Sequence, residues 1–177
     1  MSGHNKWKQI KHQKGATDAQ KSKIFTKIVR LLSVEAKKAK GNMAAAGLQN
    51  AIAKAREANM PNDTMERAIK KATTDNSAEM ESITYEAYGP GGCAMIIEAL
   101  TDNRNRTAPE IKHILSNHNL ALAGMGAAAW AFERQKDGTW IPKTMAPLED
   151  ADADALGKVV EDLENNDDVQ EVYTNAE

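Results

Sequence analysis

Apolar residues recur every three or four positions over three stretches of the first 75 residues. This period places side chains on one face of an α-helix. The first stretch starts near Thr17 or Asp18, which are favourable N-cap residues, and stops near Gly41, a residue typical of the position after a helix. Pro61 separates the second stretch from the third. The sequence therefore predicts a three-helix module, with helices over about 17–41, 43–59 and 62–72.

Beyond about residue 80, the pattern changes to that of β-strands separated by helices. Ile83 to Tyr88 alternates between apolar and polar residues, and Cys93 to Leu100 is an apolar run broken only by Glu98. The Gly-Pro-Gly-Gly sequence between these two stretches is a strong turn signal. The elements predicted next are a helix after residue 107, strands over 127–132 and 139–145, a helix over 150–165 and a strand over 169–173.

From Cys93 onward, the predicted order is β-α-β-β-α-β, which is the ferredoxin-like order. Right-handed crossovers would place both helices on one face of a four-stranded antiparallel sheet. The strand before Cys93 would add an edge strand to that sheet. We therefore expect an α+β protein, in which residues 1–80 form a basic arm and a three-helix nucleic-acid-binding module and residues 81–177 form an acidic ferredoxin-like module.

The formal charge of −2 conceals two halves of opposite sign. Residues 1–80 hold 16 Lys and Arg against 7 Asp and Glu, whereas residues 81–177 hold 7 against 18. A dense positive half is typical of a protein that binds a polyanion. Solvated helix faces are the alternative explanation, and they account for the acidic half better than for the basic one.

The first 16 residues show no clean period but combine cations with an aromatic ring. Their lysines can neutralise phosphates, and Trp7 can either stack on a base or anchor the arm to the helices. Basic residues then continue on the polar face of the first predicted helix. The candidate nucleic-acid-binding residues of this half are His4, Lys6, Trp7, Lys8, Lys11, His12, Lys14, Lys21, Lys23, Lys27 and Arg30.

A polar loop predicted over 101–107 is a second candidate nucleic-acid-binding region. Two Arg and two Asn side chains can contact phosphates or base edges. The alternative is a structural network, in which an Asx turn caps the following helix and the arginines pair with Asp102 or Glu110. Neither region distinguishes RNA from DNA, because counterion release operates on both. The candidate residues here are Asn103, Arg104, Asn105 and Arg106.

The chain has no sequence signal of an enzyme. It lacks a Walker A motif and a dinucleotide fingerprint, and its four His have no acid or Cys partner at metal-ligand spacing. The single cysteine, Cys93, opens a buried strand and is interpreted as a core residue. We therefore expect no catalysis, no metal, no cofactor and no small-molecule substrate.

No stretch of the sequence is suited to a membrane or to export. No run approaches 18 apolar residues, and the N-terminal residues lack the apolar segment of a secretory signal. We therefore expect no membrane partner and a cytoplasmic location. The oligomeric state has no sequence signal.

Six specific motifs occur in order along nearly the whole chain. They are GHNKWKQIKH from residue 3 with Lys14, KIFTK from 23, NMPNDT and ERAIKK over 59–71, YEAYGPGG from 85, TDNRNRT from 101 and DVQEVY from 168. In this order they resemble the motifs of the YebC/PmpR family. The resemblance places a nucleic-acid-binding face on His4, Lys6, Trp7, Lys11, His12, Lys14, Lys23 and Lys27.

The family resemblance implies a helical N-terminal domain, ferredoxin-like modules and no catalytic activity. Some family members are described as DNA-binding transcriptional regulators. Others, including the mitochondrial translational activator of cytochrome oxidase, act on the ribosome. Two hypotheses follow: a ribosome-associated translation factor that contacts rRNA or tRNA, and a regulator that binds duplex DNA.

The main departure from the family pattern is a missing segment. Family members usually carry a further small domain between the strand that ends near Arg134 and the segment that begins near Ile141. Here only a short connection containing Asp137-Gly138, a hairpin-turn signal, joins them. A hairpin is therefore expected in place of a domain.

Overall fold

The computed structural model describes residues 18–74 and 79–177. The described residues form two compact units that divide between Glu81 and Ser82. We call residues 18–74 the helical unit and residues 82–177 the mixed unit.

Three helices make up the helical unit: α1 (Asp18–Lys38), α2 (Ala46–Glu57) and α3 (Asn62–Thr74). The sequence-predicted helices are therefore confirmed. The chain leaves α1 through Gly41, whose φ of +79° is a conformation that favours glycine. Pro61 directly precedes α3. Backbone N–H groups at the start of a helix have no partner within the helix, so the N–H that proline lacks costs no helical hydrogen bond.

The core of the helical unit is built from the apolar stripe of each helix. α1 packs against both α2 and α3, and its Leu32 and Ala36 have no exposed surface. Many of the core residues are alanines and methionines, which suits close helix contacts in a chain with few aromatic residues. The buried members are Ile28, Leu32, Ala36, Leu48, Ala51, Ile52, Ala55, Met60, Met65, Ala68 and Ala72.

The mixed unit contains the β-α-β-β-α-β order predicted from the sequence, preceded by one strand. Its elements are β1 (Glu81–Tyr88), β2 (Ala94–Thr101), α4 (Arg104–Asn117), β3 (Phe132–Arg134), β4 (Trp140–Pro142), α5 (Asp150–Asn165) and β5 (Val169–Thr174).

The strands form two sheets rather than the single four-stranded sheet predicted. One sheet has the order β1-β2-β5, with β2 antiparallel to β5 and Ile96 opposite Tyr173. β1 is its edge strand, as expected. The other sheet is the hairpin of β3 and β4, in which Arg134 lies opposite Trp140. The predicted sheet was wrong because β3 and β4 pair with each other and not with β2 or β5.

The prediction of a strand over 127–132 is also wrong, because a residue distant in the sequence binds the backbone of this segment. Residues Ala129–Ala131 form a 3-10 turn, and β3 begins only at Phe132. The Glu86 carboxylate accepts hydrogen bonds from the backbone N–H groups of Ala128 and Ala129 at 2.7 and 2.8 Å. These donors are therefore not available to a neighbouring strand.

Alternate residues of β2 face two different layers. Met95 and Ile97 belong to the cluster formed with α4 and α5, whereas Ala94 and Ile96 belong to the cluster that contains Phe132 of the hairpin. Side chains of a strand alternate between faces, so β2 is buried on both. This arrangement explains why β2 is a continuous apolar run in the sequence.

The turn between β1 and β2 packs closely against the segment that leads into α5. Gly91 has a φ of +67°, and a Cβ built on it would lie 2.5 Å from Leu148 Cδ2 and 3.0 Å from Asp152 Oδ2. Neither the conformation nor the space admits a larger residue. This packing accounts for Gly91, whereas Gly92 has open space at its Cβ position and is explained by its φ of +76°.

Cys93 follows this turn and has no exposed surface. Burial raises the pKa of its thiol to about 11, so the thiol is protonated at pH 8 and is a poor nucleophile. We expect no labelling of the native protein by a thiol-reactive chromogenic disulfide at pH 8, and complete labelling in denaturant. Rapid labelling of the native protein would contradict the burial of Cys93.

Candidate nucleic-acid interface

Helix α1 aligns three of the candidate cations. Lys23, Lys27 and Arg30 are four and three positions apart, so they share one face of the helix. At 1.5 Å per residue they span about 10 Å of the helix axis. The buried residues Ile28 and Leu32 lie on the opposite side. We call Lys23, Lys27 and Arg30 the basic stripe.

The fourth candidate cation of α1 is not part of the stripe. At 100° per residue, Lys21 lies about 160° from Lys23 and faces the same side as the core residues further along the helix. Its ammonium is 4.0 Å from the carboxylate of Asp18, and both side chains are well exposed. The structure therefore separates Lys21 from the other three.

The helical unit has a positive surface beyond the stripe. Residues 18–74 contain 12 Lys and Arg against 5 Asp and Glu, which gives a formal charge of +7. Residues 82–177 contain 7 against 17, which gives −10. The stripe therefore belongs to the unit whose charge favours binding to a polyanion.

The remaining candidates of the basic half precede α1. They stay predictions from the sequence because they lie outside the described residues. They are His4, Lys6, Trp7, Lys8, Lys11, His12 and Lys14.

The second candidate region is shorter than the predicted loop, because α4 begins at Arg104. Asn103 is the N-cap of α4, and its side-chain oxygen accepts the backbone N–H groups of Asn105 at 3.1 Å and Arg106 at 3.2 Å. This is the Asx arrangement anticipated as the structural alternative. The cap engages helix-terminal donors that could otherwise bind a phosphate.

Arg106 also has a structural partner. Its Nη2 lies 2.8 Å from Asp168 Oδ2 and 3.0 Å from Asp102 Oδ1. The hydrogen bond to Asp168, then that to Asp102, raises the already high pKa of the guanidinium. Pairing with Asp102 was anticipated from the sequence, but pairing with Asp168, which is 62 positions away, was not.

Asp168 joins β5 to β2 and α4. Its side chain is only 3% exposed, and its Oδ2 accepts hydrogen bonds from Thr107 Oγ1 at 2.7 Å and Thr101 Oγ1 at 3.2 Å. A buried carboxylate needs such partners to offset its loss of hydration. We call Asp168, Thr101, Thr107 and Arg106 the Asp168 cluster.

Arg104 and Asn105 are exposed on the first turn of α4. They remain candidates of the second region because both are exposed. Lys112 lies two turns further along the same helix, and it is also exposed. Lys112 is not one of the candidate residues, so it can serve as a control position.

The described residues contain no group of three or more His, Cys, Asp or Glu side chains arranged to hold a metal ion. Among the helices that the structure describes, none combines the length and the apolar character needed to cross a bilayer.

Comparison with known proteins identifies the chain throughout its length. Residues 5–75 match the TACO1/YebC protein N-terminal domain. Residues 80–138 and 135–176 match the TACO1/YebC second and third domain.

Two bacterial relatives are each named a probable transcriptional regulatory protein. The protein of Pseudothermotoga lettingae is 46% identical over 180 residues, which cover 100% of this chain and 71% of the relative. The protein of Thermosipho africanus is 39% identical over 237 aligned residues, which cover 100% of this chain and 94% of the relative.

A solved structure has the same fold. It is a conserved hypothetical protein from Aquifex aeolicus, with a TM-score of 0.80 and 27% sequence identity, and the match covers 93% of each chain.

The comparisons also locate the missing segment. The alignment with the Thermosipho africanus protein is about 60 positions longer than this chain of 177 residues. The two matches to the second and third domain meet at residues 135–138, which lie in the turn between β3 and β4. The expected absence of a family segment between Arg134 and Ile141 is therefore confirmed, and the chain belongs to the TACO1/YebC family.

Proposed function

We propose that this protein is a non-catalytic regulator of gene expression that binds the phosphate backbone of a nucleic acid through its helical unit. The basic stripe carries the proposal. Lys23, Lys27 and Arg30 lie on the face of α1 opposite the buried residues Ile28 and Leu32, within a unit of formal charge +7. Such a row of cations can follow successive phosphates and release counterions from them. The names of the relatives support a regulatory role.

RNA of the ribosome is the target that we propose first, as rRNA or tRNA. Family resemblance supports this choice, and so does the absence of a helix-turn-helix reading surface in the helical unit. α2 and α3 are separated by only four residues, as in that motif, but the first two turns of α3 carry Asp63 and Glu66. In a helix-turn-helix protein the same turns would contact base edges within a negatively charged groove.

Charge reversal of the stripe tests the proposed face. We expect Lys23→Glu with Lys27→Glu to weaken ribosome binding at least about tenfold at physiological salt, and to lower the slope of log affinity against log salt by about 1 to 2. Co-sedimentation with purified bacterial ribosomes over a salt series measures both quantities.

A matched variant separates a local effect from a change in overall charge. Lys112→Glu with Lys158→Glu changes the net charge by the same amount, but places the change in the mixed unit. We expect this variant to bind ribosomes within about twofold of the unaltered protein. Equal losses in the two double variants would contradict the assignment of the face to α1.

Duplex DNA is the second candidate target, and the names of the relatives favour it. Excess duplex DNA in the same sedimentation experiment distinguishes the two targets. Ribosome binding that survives the DNA supports the RNA target. Displacement by DNA, followed by recovery of a preferred sequence in a binding-site selection, would support the transcriptional role instead.

A further inference from the structure

Two exposed aromatic side chains of the mixed unit are joined to each other. Trp130 is 57% exposed and Tyr88 is 38% exposed. The indole Nε1–H donates to Tyr88 Oη at 3.1 Å, and the Tyr88 hydroxyl donates to the backbone carbonyl of Ala127. These hydrogen bonds engage the polar groups of both side chains, so the pair offers ring surface to a ligand. We call Tyr88 and Trp130 the aromatic pair.

The loop that carries Trp130 is held by a buried charge. Glu86 is 7% exposed, and its carboxylate accepts the backbone N–H groups of Gly126, Ala128 and Ala129 at 2.6 to 2.8 Å. The carbonyl of Glu86 also accepts the N–H of Ala123 at 2.8 Å. The indole is therefore anchored on a loop with fixed ends, and a ligand that stacks on it would lose little additional conformational freedom.

The hairpin of β3 and β4, which follows Trp130 in the chain, is more basic than the rest of the mixed unit, and the Arg134 guanidinium lies over the Trp140 ring at 5.4 Å. Three of the seven Lys and Arg in residues 82–177 occur within the ten positions 134–143, and all three are exposed. The backbone N–H of Lys143 donates to the carbonyl of Ala131, the residue after Trp130, at 2.8 Å. The same ten positions contain one acid, Asp137, whose carboxylate accepts hydrogen bonds from Thr139. The three cations are Arg134, Lys136 and Lys143.

We propose that the aromatic pair is a stacking site for an unpaired base of single-stranded nucleic acid, with the nearby cations contacting the flanking phosphates. Exposed aromatic rings beside cations are the combination by which proteins bind single strands without sequence preference. The proposal rests on the nucleic-acid-binding function proposed above. It adds a second contact, on the other unit, that is selective for unpaired bases.

A comparison of single-stranded and duplex ligands tests this proposal. We expect Trp130→Ala to weaken binding of a fluorescently labelled 12-nucleotide oligo-U about tenfold, and to change binding of a duplex of the same length less than twofold. Fluorescence anisotropy measures both affinities. The salt dependence should stay the same, because the variant removes no phosphate contact.

Two further variants test whether the loss of single-strand affinity depends on the aromatic ring of Trp130. Trp130→Phe keeps an aromatic face and should retain most of the single-strand affinity. Ile141→Ala removes another exposed apolar side chain, which is 51% exposed and lies on the adjacent hairpin. We expect this variant to bind like the unaltered protein. Circular dichroism and thermal unfolding establish that each variant is folded.

Photo-crosslinking provides a direct readout. An oligonucleotide containing 5-iodouracil should crosslink to Trp130 or Tyr88, as identified by mass spectrometry of the digested protein. Crosslinks confined to the helical unit would overturn the proposal, as would single-strand binding that Trp130→Ala leaves unchanged. Equal losses for single-stranded and duplex ligands would also overturn it.

The experiment separates this proposal from the proposed function. Lys23→Glu with Lys27→Glu should weaken both ligands, whereas Trp130→Ala should weaken only the single strand. If the unaltered protein binds neither ligand, the aromatic site fails, and the proposed function is decided separately by ribosome sedimentation. If it binds both and Trp130→Ala has no effect, only the aromatic site fails, and a protein partner becomes the better explanation of the exposed pair.

Discussion

Asp168→Asn is expected to lower the free energy of unfolding of the mixed unit by about 3 kcal/mol. The Asp168 side chain is 3% exposed and accepts hydrogen bonds from two threonine hydroxyls and from Arg106. An amide would direct a donor toward groups that themselves donate, and one or more of them would lose its partner. The three elements that meet at Asp168 would then be held less firmly.

Chemical denaturation followed by circular dichroism measures this loss. Asp102→Asn is the matched control, because Asp102 also pairs with Arg106 but its side chain is 49% exposed. Exposed pairs contribute about 0 to 1 kcal/mol, so the control should change the free energy of unfolding by less than 1 kcal/mol. Similar losses in the two variants would contradict the structural role assigned to the buried carboxylate.

Glu86→Gln is expected to lower the free energy of unfolding at pH 7 by about 2 kcal/mol. Burial by itself would raise the pKa of Glu86, but the hydrogen bonds from the backbone N–H groups of Gly126, Ala128 and Ala129 outweigh it, and the pKa is lowered. A neutral amide accepts these donors less strongly, and its own NH₂ group competes with them.

The lowered pKa of Glu86 gives this variant a characteristic pH dependence. The ionised side chain contributes its full stability above its ordinary pKa of 4.5, and the contribution disappears as the pH falls through the lower pKa of the folded protein. The difference between the unaltered protein and Glu86→Gln should therefore shrink as the pH is lowered from about 5 toward 3. Urea denaturation at a series of pH values measures this difference.

A matched control is available for the Glu86 prediction. Glu133 is exposed on β3, so Glu133→Gln should alter the free energy of unfolding by less than about 0.5 kcal/mol. A Glu86→Gln effect that stayed constant between pH 7 and pH 3 would contradict the ionic role of the carboxylate.

The helices could be predicted from the sequence because their signals are local. Capping residues, Gly41 and Pro61 mark the ends of the first three, and the 3.6-residue period marks their buried faces. The helix predicted over 150–165 has the same bounds in the structure, where Leu156 and Leu163 are buried. Local periodicity was sufficient wherever each helix buries a single stripe.

Sheet membership could not be predicted in the same way. The apolar run over 127–132 resembles a buried strand, but its backbone donors are captured by Glu86, about 40 positions earlier. A glutamate in an alternating strand has no local feature that shows whether it will be exposed or will bind a loop. Topology depended on this long-range contact.

The candidate interface could be predicted from the sequence only in part. Helical spacing was sufficient to place Lys23, Lys27 and Arg30 together, and it also separates Lys21 from them once the helix bounds are known. In the second region, the alternative of an Asx cap accounts for Asn103, and no spacing pattern could reveal that Arg106 pairs with Asp168. Trp130 was overlooked because an aromatic residue in an apolar run is normally part of a core.

The hairpin of β3 and β4 has a consequence for how the fold can be extended. Arg134 and Trp140 are cross-strand partners, so the chain leaves the mixed unit and re-enters it at nearly the same point. A segment of any length can be exchanged for the five residues between them without altering the spacing of the two strands. The turn is thus a permissive insertion site. A reporter domain inserted there should leave both the Asp168 cluster and the basic stripe undisturbed.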